Sequence, residues 1–178
     1  MSDRLTKADW MKHGVRTLAT EGARGLKVGP MAETLNVSRG SFYWHFRDIA
    51  EFRSELLASW QQRATDQVIL ELEADEAGPG RLKQLMRRAF EAKPELDRAI
   101  RHWAADDAEV AKLVASVDEK RVAYIAKLLV AAGVGSRRAL SRAAFLYWAY
   151  LGQAIVMDAR HSFVEPSALD DIGDLFAK

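Results

Sequence analysis

Residues 38–46 read Ser38-Arg39-Gly40-Ser41-Phe42-Tyr43-Trp44-His45-Phe46. On a helix that turns about 100° per residue, Phe42 and Phe46 lie within about 40° of each other and mark one side of the helix. Trp44 points in nearly the opposite direction. Two phenylalanines one turn apart predict that this side is buried. The stretch therefore predicts a short helix that presents its other side to solvent.

The outward side of this short helix combines small, polar and aromatic residues. Gly40 and Ser41 lie in its first turn, where small side chains let the backbone approach the edges of DNA bases. The Ser41 hydroxyl can donate or accept a hydrogen bond there, and the indole of Trp44 offers an apolar surface to a thymine methyl group. Tyr43 and His45 flank this side and are placed to hydrogen-bond phosphates on the two walls of a groove. The pattern indicates a helix that reads the major groove.

The residues around this helix predict a helix-turn-helix. Thr6-Lys7-Ala8-Asp9 has the pattern of a capping box and predicts a first helix that ends at Gly22. A second, short helix is predicted to begin at Pro30, and Asn36 stands where a left-handed residue ends such a helix. Ser38 is then a plausible N-cap for the third helix. The candidate DNA-binding residues are Lys27, Ser38, Arg39, Gly40, Ser41, Tyr43, Trp44, His45 and Arg47.

Residues from about 6 to 57 resemble the DNA-binding domain of the tetracycline-repressor (TetR) family. The resemblance is carried by Met31-Ala32, Leu35-Asn36-Val37-Ser38, Gly40-Ser41-Phe42-Tyr43-Trp44-His45-Phe46 and Phe52 with Leu56-Leu57. It implies that the third helix enters the major groove, that Tyr43 and His45 contact phosphates, and that Ser41 and Trp44 meet bases. It also implies a homodimer that binds a palindromic DNA operator and releases it when a small-molecule effector enters the C-terminal domain. Most members of the family are repressors.

The sequence departs from the family pattern in three places. Lys27-Val28-Gly29-Pro30 offers no Ser or Thr to cap the second helix, Asn36 replaces a usual glycine, and Ile49 stands where a lysine commonly opens the fourth helix. The first and third departures favour an alternative hypothesis. In that alternative, the chain is a helical protein-interaction or ligand-carrier module whose helix-turn-helix does not bind DNA.

The charges are distributed unevenly along the chain. The formal net charge of the 178 residues is +1, and residues 1–47 carry +4 of it while the remainder carries −3. A basic N-terminal segment on an acidic remainder is the asymmetry expected of a localised polyanion site. The N-terminal residues contain no apolar run of a signal peptide, so we expect a cytoplasmic location.

Catalytic chemistry finds little support in the sequence. With no cysteine, thiolate catalysis, disulfides and Cys-ligated metals are excluded. No Ser/His/Asp spacing, phosphate-binding glycine loop or convincing carboxylate pair is present. His102 and Asp106 lie one turn apart but lack a third metal ligand. We expect no enzymatic activity, no metal and no cofactor.

The chain beyond residue 47 is predicted to be a second, helical domain. The prediction is an all-α fold of about nine helices, with a DNA-binding domain over residues 1–47 and a ligand-binding and dimerisation domain over residues 48–178. A helix over residues 136–160, apolar on all sides between Phe145 and Met157, favours one face on the core and another on a partner subunit. Large aromatic residues and one amide in an apolar run are the candidate effector-binding residues, each also compatible with a simple core role. These candidates are Phe90, Trp103, Tyr124, Tyr147, Trp148 and Gln153.

Overall fold

A computed structural model describes residues 5–74, 80–92, 94–153 and 164–177, and these residues are helical with no strand among them. The helices in chain order are α1 (Lys7–Glu21), α2 (Val28–Thr34), α3 (Arg39–Tyr43), α4 (Ile49–Gln61), α5 (Gln67–Ala74), α6 (Gly80–Glu91), α7 (Glu95–Asp106), α8 (Ala108–Ala131), α9 (Ser136–Leu151) and α10 (Pro166–Ala177). The predicted all-α fold is confirmed. Within the described ranges, no helix is long and apolar enough to cross a bilayer.

A π-helical segment, Gln62–Asp66, joins α4 to α5 without a break. Counting this continuous helical stretch once gives nine helices in the described part of the chain. A π turn contains one more residue than an α turn.

Most of the helix boundaries follow the predicted signals. Thr6 and Asp9 form the predicted capping box at α1, and Asp48 caps α4 by accepting from the Glu51 amide at 2.8 Å. Three details differ from what the sequence predicts. Helix α2 begins at Val28 instead of Pro30, α3 ends at Tyr43 where the pattern predicts a helix to about Phe46, and Gly135 is the N-cap of α9 where Ser136 is the predicted cap. The rest of the helix predicted over 136–160 lies outside the described residues beyond position 153.

The contacts divide the chain into two compact units. The first contains the chain up to Arg63 together with Glu95–Val114, and the second contains Ala64–Pro94 with Ala115–Lys178. This division follows packing and does not fall at residue 47. The boundary between DNA-binding and ligand-binding segments remains a prediction.

Aromatic side chains form the core of the first unit. The ring of Phe42 lies 5.2 Å from that of Trp10 and 5.4 Å from that of Phe52, both edge-on, and Phe46 lies 4.9 Å from Phe52. All four side chains are almost completely buried. Burying one such ring stabilises a fold by about 1.5–3 kcal/mol, and edge-on pairs add to this. Helix α3, too short to be stable alone, is therefore fixed by its phenylalanines.

The first unit also contains a buried polar network. The indole Nε1 of Trp60 in α4 donates to Asp97 Oδ1 at 3.2 Å, and Arg101 Nε donates to Asp97 Oδ2 at 2.9 Å. Because the carboxylate of Asp97 is buried, it needs these donors. The network fixes α4 against α7.

The core of the second unit is mostly aliphatic. Its buried residues come from α5, α6, α8, α9, α10 and the turn between α8 and α9, among them Leu72, Met86, Leu128, Leu146 and Leu169. Helix α6 is also tied to α10 by ion pairs of Arg87 with Asp170 and of Lys83 with Asp174. Such exposed pairs contribute little to stability, so the apolar contacts hold this unit together.

Candidate nucleic-acid interface

A left-handed residue makes the turn between α2 and α3. Asn36 has φ 54°, the only positive value at a non-glycine residue of the described chain. The Val37 amide donates to the Ala32 carbonyl and the Asn36 amide to the Glu33 carbonyl, both at 3.0 Å. These two bonds are those of a Schellman motif, which satisfies the last carbonyls of α2. The predicted left-handed role of Asn36 is confirmed, and the turn sets the direction of α3.

Helix α3 has one side in the core and one side in solvent. Phe42 and Phe46 are 0% and 2% exposed, whereas Tyr43 is 58% and Trp44 is 72% exposed. The amides of His45 and Phe46 both donate to the Phe42 carbonyl and add a final turn beyond Tyr43. The buried side that the sequence predicts is therefore the observed one. Trp44 lies opposite this side, and Tyr43 is exposed at its flank.

The small residues of α3 lie at its start. Ser38 occupies the N-cap position, although its side chain makes no capping hydrogen bond. Ser38 and Gly40 are exposed, and Ser41 is half-buried. The first turn of α3 therefore offers a nearly bare backbone, as close approach to base edges requires.

His45 is half-buried because its ring is attached to the start of the chain. Its Nε2 donates to the Leu5 carbonyl at 2.8 Å. This bond occupies one ring nitrogen and leaves Nδ1 for a further partner. Sequence reasoning did not find this bond, since the partner is a backbone atom forty positions away.

The cations around α3 differ in how they are paired. Lys27 and Arg39 are exposed, and the Arg39 guanidinium lies against the backbone of Gly29. Arg47 is also exposed, but its Nε donates to Asp48 Oδ2 at 3.1 Å. The Glu51 amide first and Arg47 second hold the pKa of Asp48 below its usual value. Arg47 is thus partly neutralised within the chain.

The two departures at the starts of helices are visible in the structure. Lys27 stands at the N-cap of α2, where no side chain makes a capping hydrogen bond. Ile49 is the first residue of α4 and is half-buried. Neither position supplies the polar side chain that the resemblance leads one to expect.

Tyr147, one of the predicted effector residues, lies in a polar cluster of the second unit. Its hydroxyl donates to Asp118 Oδ1 at 2.6 Å and accepts from Arg121 Nη1 at 3.3 Å. Arg121 also donates to Thr65 Oγ1 at 2.9 Å and to the Ala64 carbonyl at 3.2 Å, both in the π segment. A π turn releases carbonyls from the helical pattern, and Arg121 uses one of them. Sequence reasoning missed Asp118, Arg121 and Thr65.

Tyr124, in α8 of the second unit, is buried. Its hydroxyl lies near Glu73 without a hydrogen bond of good geometry. Burial first, and the Glu73 carboxylate second, raise the pKa of Tyr124 to about 12. The hydroxyl therefore stays protonated and can act as a donor at neutral pH.

The other predicted effector residues are dispersed. The ring of Phe90 lies 6.4 Å from that of Tyr150, which stacks on Tyr147 at 5.8 Å. Gln153 is half-buried, and Trp148 is 67% exposed. Trp103 belongs to the first unit, where the Arg53 guanidinium lies 5.9 Å from its ring. The structure brings Phe90 and Tyr147 together around Tyr150 and places Trp103 elsewhere.

The described chain is thus an all-helical protein with a short, exposed helix presented by a helix-turn-helix. Solved structures share this fold. A transcriptional regulator from Rhodococcus sp. Rha1 has a TM-score of 0.71 and 22% identity, with 97% of this chain and 94% of that chain covered. A Rhodococcus sp. protein assigned to the TetR family of transcriptional regulators has a TM-score of 0.63 and 20% identity, with 95% and 96% covered.

A third structure, a protein from Clostridium perfringens described as a fatty acid metabolism regulator, has a TM-score of 0.66 and 18% identity over 94% of this chain and 96% of that chain. The fold of this chain is therefore that of TetR-family regulators. No family model and no curated protein matches the sequence.

Proposed function

We propose that the chain is a DNA-binding transcriptional regulator whose α3 reads the major groove. The observation that carries the proposal is the two-sided α3, with Phe42 and Phe46 buried in the core, Trp44 exposed on the opposite side and Tyr43 exposed at its flank. Exposing two large aromatics on a short helix costs stability unless a partner covers them, and a duplex groove accepts a helix of this size.

The roles of the exposed groups follow from their chemistry. The indole of Trp44 and the hydroxyl of Ser41 would meet base edges, and the phenol of Tyr43 would donate to a phosphate. Lys27 and Arg39 would supply the salt-dependent part of the affinity, because each phosphate they neutralise releases a counterion. The pairing of Arg47 with Asp48 makes it the weaker contributor.

We further propose that the protein works as a cytoplasmic homodimer. Helix α9 has an exposed apolar face, formed by three side chains that are 58–67% exposed and fall within an arc of about 140°: Leu140, Phe145 and Trp148. The ring of Phe145 also stacks on that of Phe176 in α10, 5.9 Å away. A second copy of the same face would bury this apolar surface, and two copies would present two α3 helices to a palindromic site.

The effector site is proposed to lie in the second unit. The aromatic walls of this site would be Phe90, Tyr147 and Tyr150. The polar groups that fix the orientation of a ligand would be Asp118 and Arg121. A small molecule bound there would favour a dimer in which the spacing of the two α3 helices does not match successive major grooves, and the DNA would be released. We propose that the protein is a repressor of this kind.

The test is a selection of duplexes from a random-sequence pool by the purified protein, followed by titration of the selected duplex at several salt concentrations. We expect one preferred palindromic sequence and an affinity that falls steeply with salt. Trp44→Ala should reduce the preference for the selected sequence over the pool. Leu70→Ala removes a similarly exposed apolar side chain from α5 and should leave the preference unchanged.

The alternative, a protein-interaction or ligand-carrier module, is favoured by the uncapped α2 and by Ile49. It predicts that the protein binds no duplex at low salt. A thermal-shift screen of small molecules separates the regulator from the carrier. Each stabilising compound is then tested for release of the selected duplex. Stabilisation by a compound without any DNA binding would support the carrier.

A further inference from the structure

Gly29, the second residue of α2, lies beside the guanidinium of Arg39. A Cβ built on Gly29 would be 3.0 Å from Arg39 Nη2, 3.3 Å from Nε and 3.4 Å from Cζ, and these are its three nearest neighbours. Because the central Cζ is the farthest of these three atoms, the Nε–Nη2 edge of the guanidinium borders the position that a side chain would occupy. Any residue other than glycine would intrude on this contact.

We propose that Gly29 is a positioning residue for DNA binding: its missing side chain leaves a space on α2 in which the Arg39 guanidinium is held in place for a phosphate. This inference rests on the proposed function. It assigns Gly29 an indirect role and makes Arg39 the group that touches DNA.

The backbone gives no reason for glycine at position 29. Positive φ values occur in the described chain at Asn36, Gly22 and Gly133, and Gly29 is not among them. In a helix, glycine is less favourable than alanine. A glycine in a helix that is not required by a positive φ indicates that a side chain at this position would meet a neighbouring group. At position 29 that group is the guanidinium of Arg39.

Arg39 is suited to bind an anion. Within the described part of the chain it makes no hydrogen bond or ion pair, and it is exposed. A guanidinium presents its N–H groups in the plane of a rigid fork that matches a phosphate. With the Nε–Nη2 edge beside α2, the Nη1 side of the guanidinium points away from the Gly29 position. A side chain held before binding loses less conformational freedom on binding.

The effect of a side chain at position 29 can be separated from its effect on folding. In Gly29→Ala the new Cβ meets the far end of a flexible side chain, so Arg39 can swing away and the fold is retained. We expect unchanged or higher thermal stability together with weaker DNA binding. Gly80→Ala is the matched control, because Gly80 lies in the first turn of α6 and has nothing within 4 Å of a built Cβ.

The experiment is a double-mutant cycle of Gly29→Ala and Arg39→Ala, titrated with the random-sequence duplex pool at several salt concentrations. Phosphate contacts are independent of sequence, so the pool is a sufficient probe. We expect Gly29→Ala and Arg39→Ala each to weaken binding by roughly tenfold and to reduce the salt slope by about one ion. The double variant should bind no more weakly than Arg39→Ala alone.

The possible results distinguish failure of the inference about Gly29 from failure of the proposed function. If wild-type protein binds and Gly29→Ala binds equally well, Gly29 does not position Arg39 and the inference is wrong, while the proposed function stands. If Gly29→Ala weakens binding as much without Arg39 as with it, the inference is wrong in the same way. If neither wild type nor Gly80→Ala binds any duplex, the proposed function itself fails and the inference with it.

Discussion

The Nε2 atom of His45 donates to the carbonyl oxygen of Leu5 over 2.8 Å. The bond connects the end of α3 to the segment just before α1, so α3 is fixed at its last turn as well as through Phe42 and Phe46. A neutral ring that donates through Nε2 has an accepting Nδ1, which can donate to a phosphate only when the ring is protonated. If the proposed function holds, His45 stabilises the fold through Leu5 and can contact a phosphate only through its other ring nitrogen.

Replacing His45 should separate these two roles. His45→Ala removes the bond to Leu5 and should lower the free energy of unfolding by about 1 kcal/mol. In His45→Gln the amide nitrogen lies close to the position of Nε2, so stability should be largely restored. Urea denaturation of both variants is the measurement. Equal stability of His45→Ala and wild type would show that the bond contributes nothing.

Tyr43 and Trp44 should respond differently to substitution. Tyr43→Phe removes one hydroxyl and should weaken binding several-fold to the selected duplex and to the random pool alike, since phosphate contacts do not read sequence. Trp44→Ala should weaken binding mainly to the selected duplex. Competition titrations with both DNAs measure the ratio. If Tyr43→Phe alters sequence preference, the assigned roles must be exchanged.

The orientation of α3 could be predicted because it depends on local signals. The spacing of Phe42 and Phe46 defines the buried side, and Asn36 marks the left-handed turn between α2 and α3. The ends of α2 and α3 were less predictable, since Pro30 is tolerated anywhere in the first turn and tertiary contacts decide how far a short helix continues.

The proposed effector site could not be predicted to the same degree. Trp103 and Tyr147 are both large aromatics in helices, yet they belong to different compact units. The partners of Tyr147 are Asp118 and Arg121, and charged residues that are common on helix surfaces give no sign of such a role in sequence. The π segment has no local signal of the kind that marks caps and turns.

Gly14 should be intolerant of any side chain. It is buried in α1, and a built Cβ would overlap Cζ of Phe52 and lie 3.1 Å from Cδ1 of Leu56. Because Phe52 is held by Phe42 and Phe46, it cannot move away, and Gly14→Ala should destabilise the first unit by about 1–3 kcal/mol. Thermal unfolding against the control Gly80→Ala tests this. A Tm for Gly14→Ala equal to that of wild type would mean that α1 and α4 are less tightly packed.

His13 should make the stability of the first unit sensitive to acid. Burial first, and the charge of Arg16 second, lower the pKa of His13 below its usual 6.5, while Glu21 opposes this. The folded protein therefore binds fewer protons than the unfolded chain just below pH 6.5. Stability is complete above this pH and is lost as the pH falls from 6.5 through the folded-state pKa.

The measurement for His13 is the free energy of unfolding at pH 7.5 and 5.5, for wild type and for His13→Gln. An amide keeps the polar contact with the Thr17 hydroxyl, which lies 3.4 Å from Nε2, but does not titrate. The loss of stability between the two pH values should be smaller in His13→Gln. Identical losses would assign the acid sensitivity to other groups.

The exposed face of α9 should control assembly. Trp148 is 67% exposed at the middle of the arc that also contains Leu140 and Phe145. A glutamate at position 148 would place two carboxylates at the centre of a symmetric interface, one from each copy, where they repel each other and lose water. Trp148→Glu should therefore sediment as a monomer at concentrations where wild type is a dimer, with unchanged helix content.

The affinity of Trp148→Glu for the palindrome should fall toward that of a single half-site, because the two α3 helices no longer bind together. Leu70→Glu places the same charge at a similarly exposed position of α5 and should leave the dimer intact. A Trp148→Glu protein that remains dimeric would place the interface on another face of the molecule.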